Sequence, residues 1–207
     1  MLCLTRPTSP RWVEVALANL DAVLVDHAHC EMKAASNALS LAVRASQTPG
    51  VVEALVSLAE EELSHFRRVF AELESRGVPL GPPPQDGYAV ELRKTVRAHR
   101  DVSLAGRTSQ EVHALVDRLL VAALIEARSC ERFRLLTDAM KERGPSDLCA
   151  FYEELFAAEA RHFRTFVDLA RKVGHPHDDW IDARLQEVAL LEGELASRLE
   201  GAPAIHG

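Results

Sequence analysis

The sequence predicts an all-α protein: a four-helix bundle made of two helical hairpins joined by a long crossover, plus short additional helices. Three observations predict it. Ala, Leu, Glu and Arg are abundant and β-branched runs are short, a mix that favours helix. Apolar residues recur at helical spacing in four long segments. Proline and glycine fall between those segments and not within them.

The elements follow in order. A short helix starts near Pro10 and Trp12. The first long helix covers about residues 19–45, and Gln47-Thr48-Pro49 breaks it. The second covers about residues 50–76. The run from Gly77 to Gly87, GVPLGPPPQDG, is too rich in proline and glycine to be helical and reads as a crossing loop. A shorter helix follows over about residues 88–99. Ser109 is a good N-cap for the third long helix, which ends near Gly144-Pro145. Ser146 and Asp147 are candidate caps for the fourth, which runs to about Val173. A last amphipathic helix covers about residues 180–199. Two hairpins with one long connection between them form the layout of a ferritin-like bundle.

The 207 residues suffice for a single domain, residues 1–207, with a sizeable core. No apolar stretch approaches the length that spans a bilayer, so no membrane contact is expected. The first residues lack the sections of a signal peptide, which makes a cytoplasmic location the expectation. Cys3, Cys30, Cys130 and Cys149 form no CxxC pair, against a zinc ribbon or thioredoxin-type site. Cys30 and Cys130 read as small packing residues. A net charge of −7 argues against broad, non-specific nucleic-acid binding, though it leaves room for a local basic patch.

Each long helix carries one apolar stripe, and each stripe contains a glutamate near its middle. The first is Leu20, Leu24, His27, Glu31, Ala35, Ala38 and Ala42. The second is Leu55, Leu58, Glu62, Phe66, Val69 and Leu73, with His65 beside it. The third is Leu115, Leu119, Ala122, Glu126, Cys130, Phe133 and Met140. The fourth is Leu148, Tyr152, Leu155, Glu159, His162, Phe166 and Leu169. A glutamate on a buried face costs several kcal/mol unless its charge is paired or coordinated. Four such costs in one core call for a common compensation, and a pair of cations supplies it.

The spacing agrees. Glu62-x-x-His65 and Glu159-x-x-His162 each present a carboxylate and an imidazole on one helix face. The midpoint between Glu31 and Glu62 falls at the first hairpin turn, and that between Glu126 and Glu159 just before the second. All four glutamates can therefore share one layer. The halves also resemble a repeat, Glu31-Met32-Lys33-Ala34-Ala35 against Glu126-Ala127-Arg128-Ser129-Cys130. About one Glu-x-x-His is expected by chance in this composition, so a single match would decide little. Two, at matching places in two hairpins and each with an in-register glutamate, form the ligand pattern of ferritin-like di-iron bundles.

Other acids and histidines read differently. Asp26 and His29 face away from the stripe and are expected on a solvated helix face. Glu60 and Glu61 are expected as exposed acids beside Glu62, and Glu131 as a salt-bridge partner. His27 fits either a group supporting the ligands or a hydrogen-bonded core histidine. His175 and His177 read as loop residues. Arg128 and Arg132 are expected to pair with ligand carboxylates or the acids beside them. Four carboxylates and two imidazoles suit iron or manganese, and lack the thiolates of structural zinc.

Four stretches together resemble the MiaE family, the tRNA 2-methylthio-N6-isopentenyladenosine hydroxylases. They are Asp26-His27-Ala28-His29-Cys30-Glu31, Glu61-Glu62-Leu63-x-His65-Phe66, Leu124-Ile125-Glu126-Ala127-Arg128-Ser129-Cys130-Glu131-Arg132-Phe133 and Glu159-Ala160-Arg161-His162-Phe163. The likeness extends from Trp12-Val13-Glu14 to the Ile205-His206-Gly207 end. It implies an oxygen-dependent monooxygenase that hydroxylates the isopentenyl group of a hypermodified adenosine beside the tRNA anticodon. By the same resemblance, Glu31, Glu62, His65, Glu126, Glu159 and His162 hold two iron ions. Dioxygen is then the co-substrate, and two electrons come from an external donor.

For tRNA contact the densest basic segment is Arg93, Lys94, Arg97, His99 and Arg100, in the crossing connection. It suits phosphates of an anticodon stem-loop, and equally a solvated helix face. Aromatics make up only 5%, so no base-stacking platform is visible. A monomer is expected. One alternative is a ferritin-like di-iron oxidase, peroxidase or iron-binding protein with another substrate; the absence of CxxC pairs disfavours a rubrerythrin-type version. The other is a non-enzymatic helical module, which four aligned buried glutamates disfavour.

Overall fold

The computed structural model describes residues 2–83, 87–99, 109–143, 145–198 and 202–205. Seven helices are present among them: α1 Pro10–Ala18, α2 Leu20–Arg44, α3 Pro49–Ser75, α4 Gly87–Ala98, α5 Gln110–Arg143, α6 Ser146–Gly174 and α7 Asp178–Ala196. No strand occurs among the described residues. None of these helices is long and apolar enough to cross a membrane.

Local chemistry sets the helix ends. Pro10 and Pro49 occupy first-turn positions, where a missing N–H costs nothing. Ser109 Oγ accepts from the Val112 amide at 3.2 Å, as its N-cap role requires. α3 stops at Gly77, whose φ of +65° closes a Schellman turn. There Gly77 N–H donates to Glu74 O (3.0 Å) and Val78 N–H to Leu73 O (2.9 Å). Two expected ends differ. Pro145, not Ser146 or Asp147, is the N-cap of α6, with no side-chain cap bond; Asp147 instead lies in the first turn, where its charge favours the helix dipole. Gly87 opens α4 and is not the last loop residue.

Short turns make α2/α3 and α5/α6 antiparallel hairpins, and these pack side by side through α3–α6 and α2–α5. α1 packs on α5 and α2; α4 and α7 pack on each other and on α5. The apolar core is divided in two. One cluster holds Ala38 and Leu41 of α2, Leu55 and Leu58 of α3, Leu119 and Ala122 of α5 and Phe166 and Leu169 of α6. The other holds Leu24 and Ala28, Val69 and Leu73, Phe133 and Leu136, and Tyr152 and Leu155 of the same helices, with Trp12 of α1. On every long helix the stripe glutamate falls between the two clusters.

The predicted stripes are buried except at Leu20, at the start of α2, and at Phe66. Phe66 is only half-buried and stacks on Phe70 at 5.7 Å, while His65 takes the inward position. The i+3 step from Glu62 points inward here and the i+4 step falls at the edge.

A buried charged network fastens the outer elements. Arg128 donates to Glu192 Oε1 (2.9 Å) and Oε2 (2.8 Å), Glu131 Oε2 (2.5 Å), Thr8 Oγ1 (3.1 Å) and Arg6 O (3.1 Å). All five guanidinium N–H groups thus find acceptors. Tyr88 OH donates to the same Glu192 at 2.7 Å, which ties α4 to α7. Arg184 donates to Asp117 (2.8 Å) and to the Val96 and His99 carbonyls (2.9 and 3.0 Å), capping α4. Arg128 therefore pairs with Glu131 and Glu192, not with a stripe glutamate. Glu192→Ala leaves two of the five Arg128 N–H groups and the Tyr88 hydroxyl without acceptors, at an expected cost of about 3–5 kcal/mol. Urea unfolding of the variant against the native chain measures it.

Candidate metal centre

Between the two apolar clusters lie six polar side chains: Glu31, Glu62, His65, Glu126, Glu159 and His162. All are buried, with exposures between 1% and 6%. They form two overlapping groups. Glu31, Glu62, His65 and Glu159 offer ligand atoms within 4.8 Å of one another, and so do Glu62, Glu126, Glu159 and His162. Each group has one imidazole and one glutamate of its own; Glu62 and Glu159 belong to both.

The electrostatics show what such a cluster needs. His65 Nδ1 lies 3.3 Å from Glu62 Oε2 and 3.7 Å from Glu31 Oε2. His162 Nδ1 lies 3.0 Å from Glu62 Oε1 and 3.5 Å from Glu159 Oε2. Burial raises the Glu31, Glu62 and Glu126 carboxyls, and charge repulsion from neighbouring glutamates adds to it. Burial opposes charging of the histidines, but the carboxylates overcome it and push His65 up to about 10 and His162 up to about 12. Yet Glu62 Oε1, Glu159 Oε2 and both nitrogens of His162 make no hydrogen bond of acceptable geometry. Their lone pairs converge without satisfying one another. Buried polar atoms left in that state fit the coordination of cations, and a carboxylate-rich set with imidazoles fits two of them.

Groups around the cluster hold it in place. His27 Nε2 is 2.6 Å from Glu31 Oε1, and its ring stacks on Tyr152 at 5.5 Å. Burial pulls this histidine down to about 4, so its neutral ring serves as an N–H donor to Glu31. Glu61 departs from the expected exposed acid. It is half-buried, with Oε2 at 3.2 Å from His162 Nε2 and Oε1 bonded to Arg161 at 2.5 Å. Its helix edge faces α6 across the seam, which spacing along α3 alone does not reveal. Glu60 is exposed as expected, and Glu131 is the predicted salt-bridge partner.

The solvated face expected for Asp26 and His29 is also corrected. His29 is buried, with Nε2 3.3 Å from Leu80 O, because the crossing loop lies over that face. Asp26 accepts from the Ile205 amide at 2.6 Å. Arg132, expected near ligand carboxylates or their neighbours, instead bonds the carbonyls of Ala204 and Ile205 and lies 4.9 Å from the Trp12 ring centre. The four cysteines form no disulfide.

A narrow cavity leads from Glu31, Glu126 and Glu159 to the surface between α2, α4 and α5. Ala34, Ala122, Ile125 and Phe133 line its interior, and Lys33, Arg93 and Arg118 border it. Arg93 and Arg118 also line two adjoining grooves, one with Lys94 and Arg97 and one with Lys33 and His29. So Arg93 of the basic segment stands at the cavity mouth, with Lys94 and Arg97 in the groove beside it; His99 lines none of the three, and Arg100 lies outside the described residues. Arg118 is the cation the sequence reading missed. Its spacing of four and eight residues from Ala122 and Glu126 marks one ridge of α5, a signal that was available.

The family model for MiaE, described as tRNA-(MS[2]IO[6]A)-hydroxylase, matches residues 1–207. The chain belongs to the MiaE family. Among MiaE-family relatives, the tRNA 2-(methylsulfanyl)-N(6)-isopentenyladenosine(37) hydroxylase of Pseudomonas putida is 41% identical over 172 residues, covering 83% of this chain and 77% of the relative. The Salmonella typhimurium enzyme of the same name is 28% identical over 238 residues, covering 91% and 82%. A solved structure, Protein 43 with aldehyde deformylating oxygenase activity from Synechococcus, superposes with a TM-score of 0.82 at 40% identity, covering 99% of this chain and 95% of that one. The MiaE-family chain thus shares a ferritin-like oxygenase architecture.

Anaerobic titration with ferrous iron tests the grouping. The native chain is expected to bind two ions and to gain about 5 kcal/mol of stability, about 2.7 per ion, at a hundredfold excess over Kd. Glu62→Ala, shared by both groups, is expected to lose both ions, and Glu31→Ala one. Metal content after gel filtration reads the result.

Proposed function

We propose that this chain is a tRNA-modifying monooxygenase. It hydroxylates the isopentenyl group of 2-methylthio-N6-isopentenyladenosine beside the anticodon, working as one domain in the cytoplasm. The observation that carries the reading is the arrangement of the cavity. Glu31, Glu126 and Glu159 of the two overlapping carboxylate–imidazole groups lie along its inside, and Lys33, Arg93 and Arg118 stand at its mouth. Membership of the MiaE family and the names of its relatives supply the substrate class.

Glu31, Glu62, His65 and Glu159 would hold one iron, and Glu62, Glu126, Glu159 and His162 the other. Such a centre, once reduced, supplies the activation of dioxygen. The balance is C–H + O2 + 2e⁻ + 2H⁺ → C–OH + H2O, with the electrons from an external donor. The chain's own residues do the rest. Ala122, Ile125 and Phe133 give the prenyl group an apolar path that excludes water. His27 holds Glu31 through its N–H, and the Glu61 carboxylate lies 3.2 Å from the outer nitrogen of His162, where it favours a charged or metal-bound ring. Lys33, Arg93 and Arg118, with Lys94 and Arg97 along α4, meet the phosphates of the stem-loop. That places the base edge at the mouth and its aliphatic tail inside.

Likeness to the Synechococcus protein supports a second reading, an aliphatic aldehyde as the substrate of the same cavity. The deciding experiment gives the iron-loaded protein, a reductant and labelled dioxygen either prenylated, methylthiolated tRNA or an aliphatic aldehyde. One labelled oxygen on the hypermodified adenosine is the expected result; turnover of the aldehyde alone favours the second reading. Arg93→Ala and Arg118→Ala are each expected to weaken tRNA binding and to lower the slope of log K against log salt by about one. Affinity measured across a salt series reads this, and iron content is expected to stay native.

A further inference from the structure

One part of the cavity wall comes from outside the bundle. Ile205 belongs to the non-helical segment 202–205, yet it is fully buried and lines the cavity beside His27, Cys30 and Phe133. Three elements hold its backbone. The Ile205 amide donates to Asp26 Oδ2 of α2 at 2.6 Å, and its carbonyl accepts from Arg132 of α5 at 2.7 Å. The Ala204 carbonyl accepts from Arg132 at 3.1 Å and from Trp12 Nε1 of α1 at 3.0 Å. Arg132 is 2% exposed, and burial pulls its guanidinium down to about 10. Burying a guanidinium is costly. Spending it on the two carbonyls of a short tail fixes one backbone position, and with it one side chain.

The cavity has a direction. Its α2 wall runs from Asn37 through Ala34 and Glu31 to His27, and its α5 wall from Arg118 through Ala122 and Glu126 to Phe133. At helical rise this is about 15 Å along α2 and about 22 Å along α5 from the basic mouth to the Ile205 end. The glutamates lie part-way along, and Ile205 closes the far end. We propose that Ile205 is a specificity-determining residue: the clamped C-terminal segment sets how far an aliphatic chain slides past the carboxylates, and so which carbon stops beside them. This rests on the substrate reading above. A shorter side chain lets the chain overrun; a longer one stops it early.

The test uses full-length, iron-loaded protein and anticodon stem-loops with and without the isopentenyl group. The native chain is expected to prefer the prenylated stem-loop and to give one hydroxylated nucleoside. Ile205→Ala is expected to lower that preference by roughly tenfold, the scale of a changed fit in an apolar pocket. It is also expected to spread hydroxylation to a second carbon. Ile205→Phe is expected to abolish the preference while binding the unprenylated stem-loop as the native chain does. Iron content and melting temperature are read on each variant. A folded, iron-loaded Ile205→Ala that keeps native preference and a single product overturns the inference and leaves the tRNA reading standing. A native chain indifferent to the prenyl group overturns the tRNA reading and this inference with it.

Discussion

Everything in this molecule is arranged around a layer of charge in the middle of an apolar bundle. Four glutamates and two histidines lie between two hydrophobic clusters, almost closed to water. A buried carboxylate without a partner is unfavourable by several kcal/mol, and mutual repulsion of four makes it worse. The layer is tolerable only if positive charge enters it. Protonated histidines supply part of this, but they leave carboxylate oxygens and imidazole nitrogens without geometrically sound bonds. A pair of cations removes both problems. Hence the turn positions matter: a hairpin sliding by one residue would rotate a glutamate out of the layer and break the compensation.

The outer elements answer a different requirement. Arg128 of α5 bonds Glu192 of α7 and the N-terminal segment, and Arg184 of α7 bonds Asp117 of α5 and the carbonyls at the end of α4. Replacing such networks by apolar packing is often neutral or favourable for stability, so their value lies in geometry. What they hold is α4, which carries Arg93 to the cavity, and α7, which braces it. A crossover with few packing residues of its own would otherwise lie loosely over the bundle. The charged anchors thus convert a long connection into a wall at a defined place.

The long helices and the six-residue cluster were legible because helical periodicity and turn position are local properties of the chain. Glu62-x-x-His65 and Glu159-x-x-His162 need only the 3.6-residue repeat to be read. What escaped depends on contacts between distant segments. His29 reads as solvated until the crossing loop is laid over it, and Asp26 until Ile205 arrives from the other end of the chain. Glu61 reads as a surface acid until α6 brings His162 against it. Arg132 reads as a neighbour of the carboxylates, yet its direction around α5 sends it to the tail. Long-range polar contacts have no period, and a single sequence carries no trace of them.

The cavity makes two demands of a substrate at once. Its mouth, with Lys33, Arg93 and Arg118, favours a polyanion; its interior, with Ala122, Ile125 and Phe133, favours a short apolar chain. An aliphatic aldehyde meets the second and makes little use of the first. A prenylated nucleotide in a stem-loop meets both. Cations at the mouth contribute to binding that is the same for any phosphate backbone, while the apolar interior discriminates by the tail. On the proposed reading, affinity and selectivity therefore reside in different residues of one opening. Chemistry is then confined to whatever tail reaches the carboxylate layer, and a stem-loop lacking one leaves that layer untouched.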